Sequence, residues 1–183
     1  MKAFLIFSAA LLFADPCLRL QGQVLSGPIP NPDNGHLYYL LAPTNWTAME
    51  DEALSLGGHL ATIRNANENA WVWTTFTALD GDNNLFIGLT DQAQEGHFVW
   101  ISGETNSFRN WRAGEPNNAN GNEDYALIRA ADGQWNDVEG LLQYGVAEVV
   151  PEPNGLVLLA IAGAIATAVL VRTSRMKVPR PPG

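Results

Sequence analysis

Three short stretches of this chain carry side chains able to hold a metal ion. They are Gly114-Glu115-Pro116-Asn117-Asn118, then Glu123-Asp124, then Trp135-Asn136-Asp137. Glu115, Glu123 and Asp137 supply carboxylates, and Asn117 and Asn136 supply amide carbonyls. All are hard oxygen donors. Ca²⁺ takes about six to eight such oxygens in a flexible geometry, in preference to nitrogen or sulfur. A tight loop holding Glu beside Asn supplies one edge of such a site, and a later strand carrying Asn-Asp supplies the other. Each stretch alone reads as a turn, because Gly, Pro, Asn and Asp are turn formers. Their occurrence in one order, with Trp135 marking the strand, points to a ligand set.

The elements that must position these residues follow from hydrophobic spacing. A first strand is expected over 35–41. Asn45 can cap a helix over 46–56, where Trp46, Met49, Ala53 and Leu56 recur at helical spacing. Gly57-Gly58 stops it. Asn65 and Glu68 stand at capping-box spacing before a second helix over 66–79, with Val72, Phe76 and Leu79 as its apolar face. A short buried strand or extended turn is expected over 59–63, and strands over 85–90, 97–101, 125–129, 134–138 and 144–149. The polar segment 102–122 has the length of a functional loop, and Phe108 and Trp111 argue that it is ordered. Two helices followed mostly by strands indicate an α+β domain.

Charge and ends set the context. Residues 24–150 hold four arginines, no lysine and seventeen acidic residues, a formal charge of −13; the whole chain is −9 only because both ends are basic. That balance argues against nucleic acid as a partner and suits cations. Residues 1–23 read as a signal peptide, 24–34 as a Gly- and Pro-rich linker and 35–149 as the folded domain. Residues 150–183 form a tail whose apolar run, about 155–171, is long enough to cross a bilayer. Arg172, Arg175, Lys177 and Arg180 follow on the cytoplasmic side. The domain is thus expected outside the cell, on the surface or in the matrix, at least transiently anchored. The single cysteine is Cys17, in the signal region, so the domain has no disulfide.

With these residues in hand, the segment 35–149 resembles the C-type lectin-like fold. The marks run in order through Trp46, Gly57-Gly58-His59-Leu60-Ala61-Thr62-Ile63, Asn65-Ala66-Asn67-Glu68-Asn69, Phe86-Ile87-Gly88-Leu89, Trp100 and Asn110-Trp111, then the three stretches above. The resemblance implies two helices, antiparallel sheets and a long calcium-binding loop. It implies that Glu115, Asn117, Glu123, Asn136 and Asp137 ligate Ca²⁺ and the sugar, with the Glu115-Pro116 bond cis. The order Glu-Pro-Asn implies a sugar with equatorial 3- and 4-hydroxyls, such as mannose or glucose, or fucose. A second calcium site is implied at Asp91, Glu95, Asn118 and Asp124, with Asn118 standing where an Asp is common. The two disulfides usual in the family are absent: their positions fall on Ala53 with Ala147 and on Tyr125 with Gly140.

The tail Val150-Pro151-Glu152-Pro153 with its apolar run resembles the bacterial PEP-CTERM sorting signal. That implies an exosortase-type processing enzyme as partner, and exopolysaccharide as a natural glycan ligand. The expected function is calcium-dependent carbohydrate binding without catalysis. The alternative is a structural or protein-binding relative that keeps the fold. A glycosidase using Glu115 and Glu123 as its carboxylate pair conflicts with their role as ligands, which must stay ionised and cannot serve as a general acid. His36, His59 and His97 form no recognisable catalytic set.

Overall fold

The computed structural model describes residues 23–81 and 83–152. The expected signal peptide, the apolar run at 155–171 and the basic tail lie outside the described residues. Among these no helix is long and apolar enough to cross a membrane.

Helix α1 spans Trp46–Ser55, and the Asn45 side chain caps it by accepting a hydrogen bond from Ala48 N–H. Trp46, Met49 and Ala53 are buried, one stripe at i, i+3 and i+7. Gly57, at φ +85°, makes the left-handed turn that ends it. Helix α2 spans Ala66–Asp80 and is capped by Asn65 through Glu68 N–H. Val72 and Phe76 form its buried face. Leu79, expected beside them, is half exposed in the last turn, where Gly81 already leads the chain away.

The strands are β1 (Val24–Pro30), β2 (Leu37–Thr44), β3 (His59–Leu60), β4 (Leu85–Thr90), β5 (Val99–Trp100), β6 (Tyr125–Ile128), β7 (Trp135–Val138) and β8 (Gln143–Val149). They form one sheet of order β1-β2-β8-β4-β6-β7, with β3 beside β8 and β5 beside β4. Every pair is antiparallel except β4 with β8. The stretch expected as a linker therefore contains a strand: Val24 pairs with Leu41 and Pro30 with Leu37. An edge strand tolerates proline because one side of its backbone joins no ladder, so Pro28 and Pro30 disguised it. The strand expected over 97–101 shrinks to the two residues of β5.

All six residues of β4 are buried. Leu85, Ile87 and Leu89 pack in one apolar cluster with Val72 and Phe76 of α2. Phe86 belongs to a second, with Met49 and Ala53 of α1. The period of two thus feeds both layers from one strand. Gly88 is dictated by crowding, since a Cβ there would lie 2.4 Å from the Leu60 carbonyl oxygen.

Packing fills both absent bridge positions. Ala53 and Ala147 are fully buried in the same cluster. A Cβ on Gly140 would meet the Tyr125 ring at 2.6 Å, and that ring stacks on Trp46 at 4.8 Å between centroids. Each missing disulfide forgoes about 2–4 kcal/mol; apolar contact replaces part of it.

A buried charge network closes the other side. Arg64 Nη1 donates to Glu68 (2.8 Å) and Glu148 (2.7 Å), and its Nε and Nη2 grip both oxygens of Glu104. Tyr38 donates its hydroxyl to Glu68 (2.6 Å) and Glu148 (3.1 Å). His36 Nδ1 lies 2.5 Å from Glu148, and His59 Nδ1 lies 2.6 Å from Glu50. His36 and His59 are thus half-buried partners of carboxylates. Burial works against the Arg64 charge, yet Glu104, Glu148 and Glu68 hold its pKa above the usual value.

Candidate functional site

The long loop is fastened to β7 through Trp135. Trp135 N–H donates to Asn110 O (2.8 Å) and Arg112 N–H donates to Trp135 O (2.9 Å). The indole is fully buried. Its Nε1 donates to Asn69 Oδ1 on α2 (2.7 Å), and Trp100, Phe108 and Trp111 meet it edge-on at 5.7–5.9 Å. Those contacts fix the strand that presents Asn136 and Asp137. The Trp135 spacing was legible in the sequence. The bond from Asn69 was not, since nothing local marks a helix amide as the acceptor for a strand 66 residues later.

The Glu115-Pro116 peptide is cis, as the resemblance implies. Asp137 is 1% exposed. Its carboxylate accepts from Asn117 N–H (3.1 and 3.0 Å) and Asn118 N–H (2.7 Å), which draws the proline loop onto the strand. Glu115 faces this carboxylate closely. Desolvation, then the Asp137 charge and hydrogen bond, then Glu123, push the Glu115 carboxyl above its usual range; Arg112 opposes them. Crowded carboxyls of this kind favour a proton or a cation beside them.

The remaining expected residues gather around this pair. Asn136 Nδ2 donates to Asp137 O (3.0 Å). Its Oδ1 and Glu115 Oε2 are buried without a partner. Glu123 Oε2 accepts from Ala119 N–H (2.6 Å), and Asn118 Oδ1 accepts from Glu123 N–H (3.1 Å). The Asn117 side chain is exposed. The structure thus brings Glu115, Glu123, Asn136, Asp137 and the Asn117 backbone together. A group of unpaired acceptors crowded by like charge fits a hard cation. Among the described residues no three His, Cys, Asp or Glu side chains close on a common point; backbone N–H groups engage the oxygens of Glu123 and Asp137.

The second expected set is partly assembled. Asp91 is buried, with Oδ2 accepting from Gly96 N–H (2.8 Å) and Oδ1 unpartnered. Desolvation, then the charges of Asp91 and Asp124, raise the pKa of exposed Glu95. Asp124 O accepts from Asp91 N–H (3.2 Å) and from Thr90 Oγ1 (2.8 Å). Asn118 instead turns toward Glu123, as above.

Comparison with known proteins bears on the family and the fold. The family model described as Lectin C-type domain matches residues 42–143. Lectin BRA-3 of Megabalanus rosa is 36% identical over 111 residues, which cover 57% of this chain and 64% of that lectin. The alpha-N-acetylgalactosamine-specific lectin of Patiria pectinifera is 40% identical over 86 residues, 44% of this chain and 51% of that one. The chain thus spans less than two thirds of either. The solved structure of C-type lectin CEL-I from Cucumaria echinata superposes with a TM-score of 0.61 at 26% identity, covering 75% of this chain and all of that one. These relatives are lectins by name, and the fold and the matched span place the chain in one family. The chain belongs to the C-type lectin domain family.

Proposed function

We propose that this protein is an exported lectin that binds a sugar through Ca²⁺ held by Glu115, Asn117, Glu123, Asn136 and Asp137. The observation that carries the reading is the pair of buried, unpartnered oxygens, Glu115 Oε2 and Asn136 Oδ1, beside a carboxylate that raises its neighbour's pKa. When bound, the cation would supply a positive centre that accepts two neighbouring sugar hydroxyls in place of water. The chain's own groups set direction: Glu115 and Glu123 accept hydroxyl protons, while the Asn117 and Asn136 amides donate. Asp137 holds the loop against β7 and keeps those groups on one side.

The Glu-Pro-Asn order favours the mannose, glucose or fucose type of hydroxyl pair. The Patiria relative is named for α-N-acetylgalactosamine, so the sugar is a matter for direct test. A small site of this kind buries little surface, and monovalent affinity on the order of mM is expected; clustering would raise avidity. A glycan array with and without Ca²⁺ tests the reading, and Glu115→Gln with Asn117→Asp should abolish mannose binding. Retained mannose binding in that variant would place the sugar elsewhere. The backbone bonds that already engage Asp137 and Glu123 favour the alternative, a structural or protein-binding domain, and an array without calcium-dependent signal would select it.

The second calcium site at Asp91, Glu95, Asn118 and Asp124 belongs to the same proposal, supported by the unpartnered Asp91 Oδ1. Export, anchoring by the run at 155–171 and processing by an exosortase-type enzyme at Pro151-Glu152-Pro153 rest on the sequence pattern. Fractionation and intact-mass measurement of the mature protein would decide them.

A further inference from the structure

We propose that a cleft between β5 and the start of the long loop is a second ligand site, for an oxyanion carried by a sugar. The oxyanion is the carboxylate of a uronic acid or the ester sulfate of a sulfated sugar. The cleft has a volume of about 250 Å³, and its walls include His97, Phe98, Trp100, Glu104, Asn106 and Arg109.

Arg109 brings a guanidinium to this cleft. Arg109 donates to the carbonyls of Phe108 (2.7 Å), Phe98 (3.1 Å) and Asn106 (3.2 Å). Those bonds use Nη1 and Nη2 and go to neutral carbonyls, so the cationic charge itself meets no carboxylate. No carboxylate among the described residues pairs with it, in contrast to Arg64 and Arg129. Glu104 lines the same cleft, but Arg64 takes both its oxygens. The Arg109 guanidinium sits 5.5 Å over the Trp100 ring, which holds it in one place. Its desolvation, with no opposing charge, lowers its pKa.

Two cleft-lining residues, Trp100 and Asn106, each carry a buried N–H group, Nε1 and Nδ2, with no acceptor among the described residues, and Trp100 is only 3% exposed. A buried donor left unpaired keeps its desolvation penalty. A cation without a carboxylate partner beside two unpaired neutral donors calls for a ligand that brings several lone pairs and a negative charge, since charge-assisted bonds are the stronger ones. A hydroxyl would bring lone pairs alone. The acidic surface elsewhere opposes anions only at range, because screening over about 8 Å at physiological salt leaves Arg109 dominant nearby. The carbohydrate source rests on the lectin reading; the oxyanion site rests on Arg109, Asn106 and Trp100.

The test follows the Trp100 indole N–H resonance of the ¹⁵N-labelled full chain in EDTA, so that the calcium-dependent sugar site is silent. Glucuronate, galactose 6-sulfate and mannose are titrated separately. One or both anionic sugars should shift the resonance saturably, with Kd on the order of mM, and mannose should not; which one acts identifies the source. Asn106→Asp removes the Nδ2 donors and adds a like charge, yet keeps the oxygen that accepts from Phe108 N–H. It should weaken the response by roughly tenfold or more. Arg109→Gln should do the same, but it also loosens three carbonyls, so Asn106→Asp is the deciding variant. A Trp100 resonance unmoved by both anionic sugars, or moved equally in Asn106→Asp, overturns the proposal. A Trp100 response that persists when calcium-dependent mannose binding is absent supports this site and counts against the lectin reading alone.

Discussion

Two acidic regions of this domain are built from the same residue types and end in opposite states. Around Arg64, the carboxylates Glu68, Glu104 and Glu148 meet a guanidinium, the Tyr38 hydroxyl and backbone N–H groups. Every charge there has a partner. Around Asp137, Glu115 and Glu123 the carboxylates face one another, and buried oxygens on Glu115 and Asn136 have none. The first region holds the fold shut by itself. The second keeps two buried acceptors open, and on the proposed reading a cation would fill them. What separates the two regions is therefore a guanidinium bonded among the carboxylates of the first, not the number of carboxylates.

The contrast can be broken from either side. Arg64→Ala should be the most damaging change. Removing one partner of a buried ion pair costs about 3–5 kcal/mol, and two nearly buried carboxylates, Glu68 and Glu148, would be left facing each other. Denaturant unfolding should show the loss equally with and without calcium; a loss seen only without calcium would merge the two regions. Next comes chelation of the wild-type protein. A cation that binds only the folded state adds about 2.7 kcal/mol at a hundredfold excess over its Kd, so EDTA should lower the Tm clearly. An unchanged melt would mean that the Asp137 region closes without metal.

The third prediction concerns alkaline pH. Burial first, then the Glu148 charge and the bond and charge of Glu68, push the Tyr38 phenol far above its usual value; Tyr125 shifts the same way through burial. The folded state keeps a proton that the unfolded state releases near pH 10. Stability is thus fully present below about pH 10 and falls as pH rises beyond it. Tyr38→Phe should make that fall shallower in thermal melts from pH 8 to 11, whereas equal slopes would show that Tyr38 is not the group responsible. The smallest effect on the fold is expected for Glu115→Gln. It should abolish calcium-dependent sugar binding in calorimetry, yet shift the calcium-free Tm little or slightly upward, because it relieves repulsion from Asp137. A large loss of calcium-free stability would assign Glu115 a structural role instead.

Much of the scaffold was legible along the chain, for a local reason. Asn45 and Asn65 cap the helices they precede, and Met49, Ala53, Val72 and Phe76 recur at helical spacing. Strands β4, β6, β7 and β8 stand where apolar runs lie between turn residues. Strand β1 was missed because its prolines and glycine mimic a linker, and only pairing with β2 reveals the edge. Leu79 was misplaced because periodicity does not say where the packed face of a helix ends. The three acidic and amide stretches were visible as residue types in order. That Asp137 would reach across to the Asn117 and Asn118 N–H groups was not.

The sequence by itself determined the donor chemistry: hard oxygens in a Pro-bearing loop and in an Asn-Asp strand, on an acidic chain whose domain has no cysteine. Only the tertiary structure decided which acids are neutralised and which are left wanting. Whether a carboxylate finds a guanidinium depends on contacts 40 and 84 residues apart, such as Arg64 with Glu104 and Glu148, and spacing along a chain does not fix such distances in space.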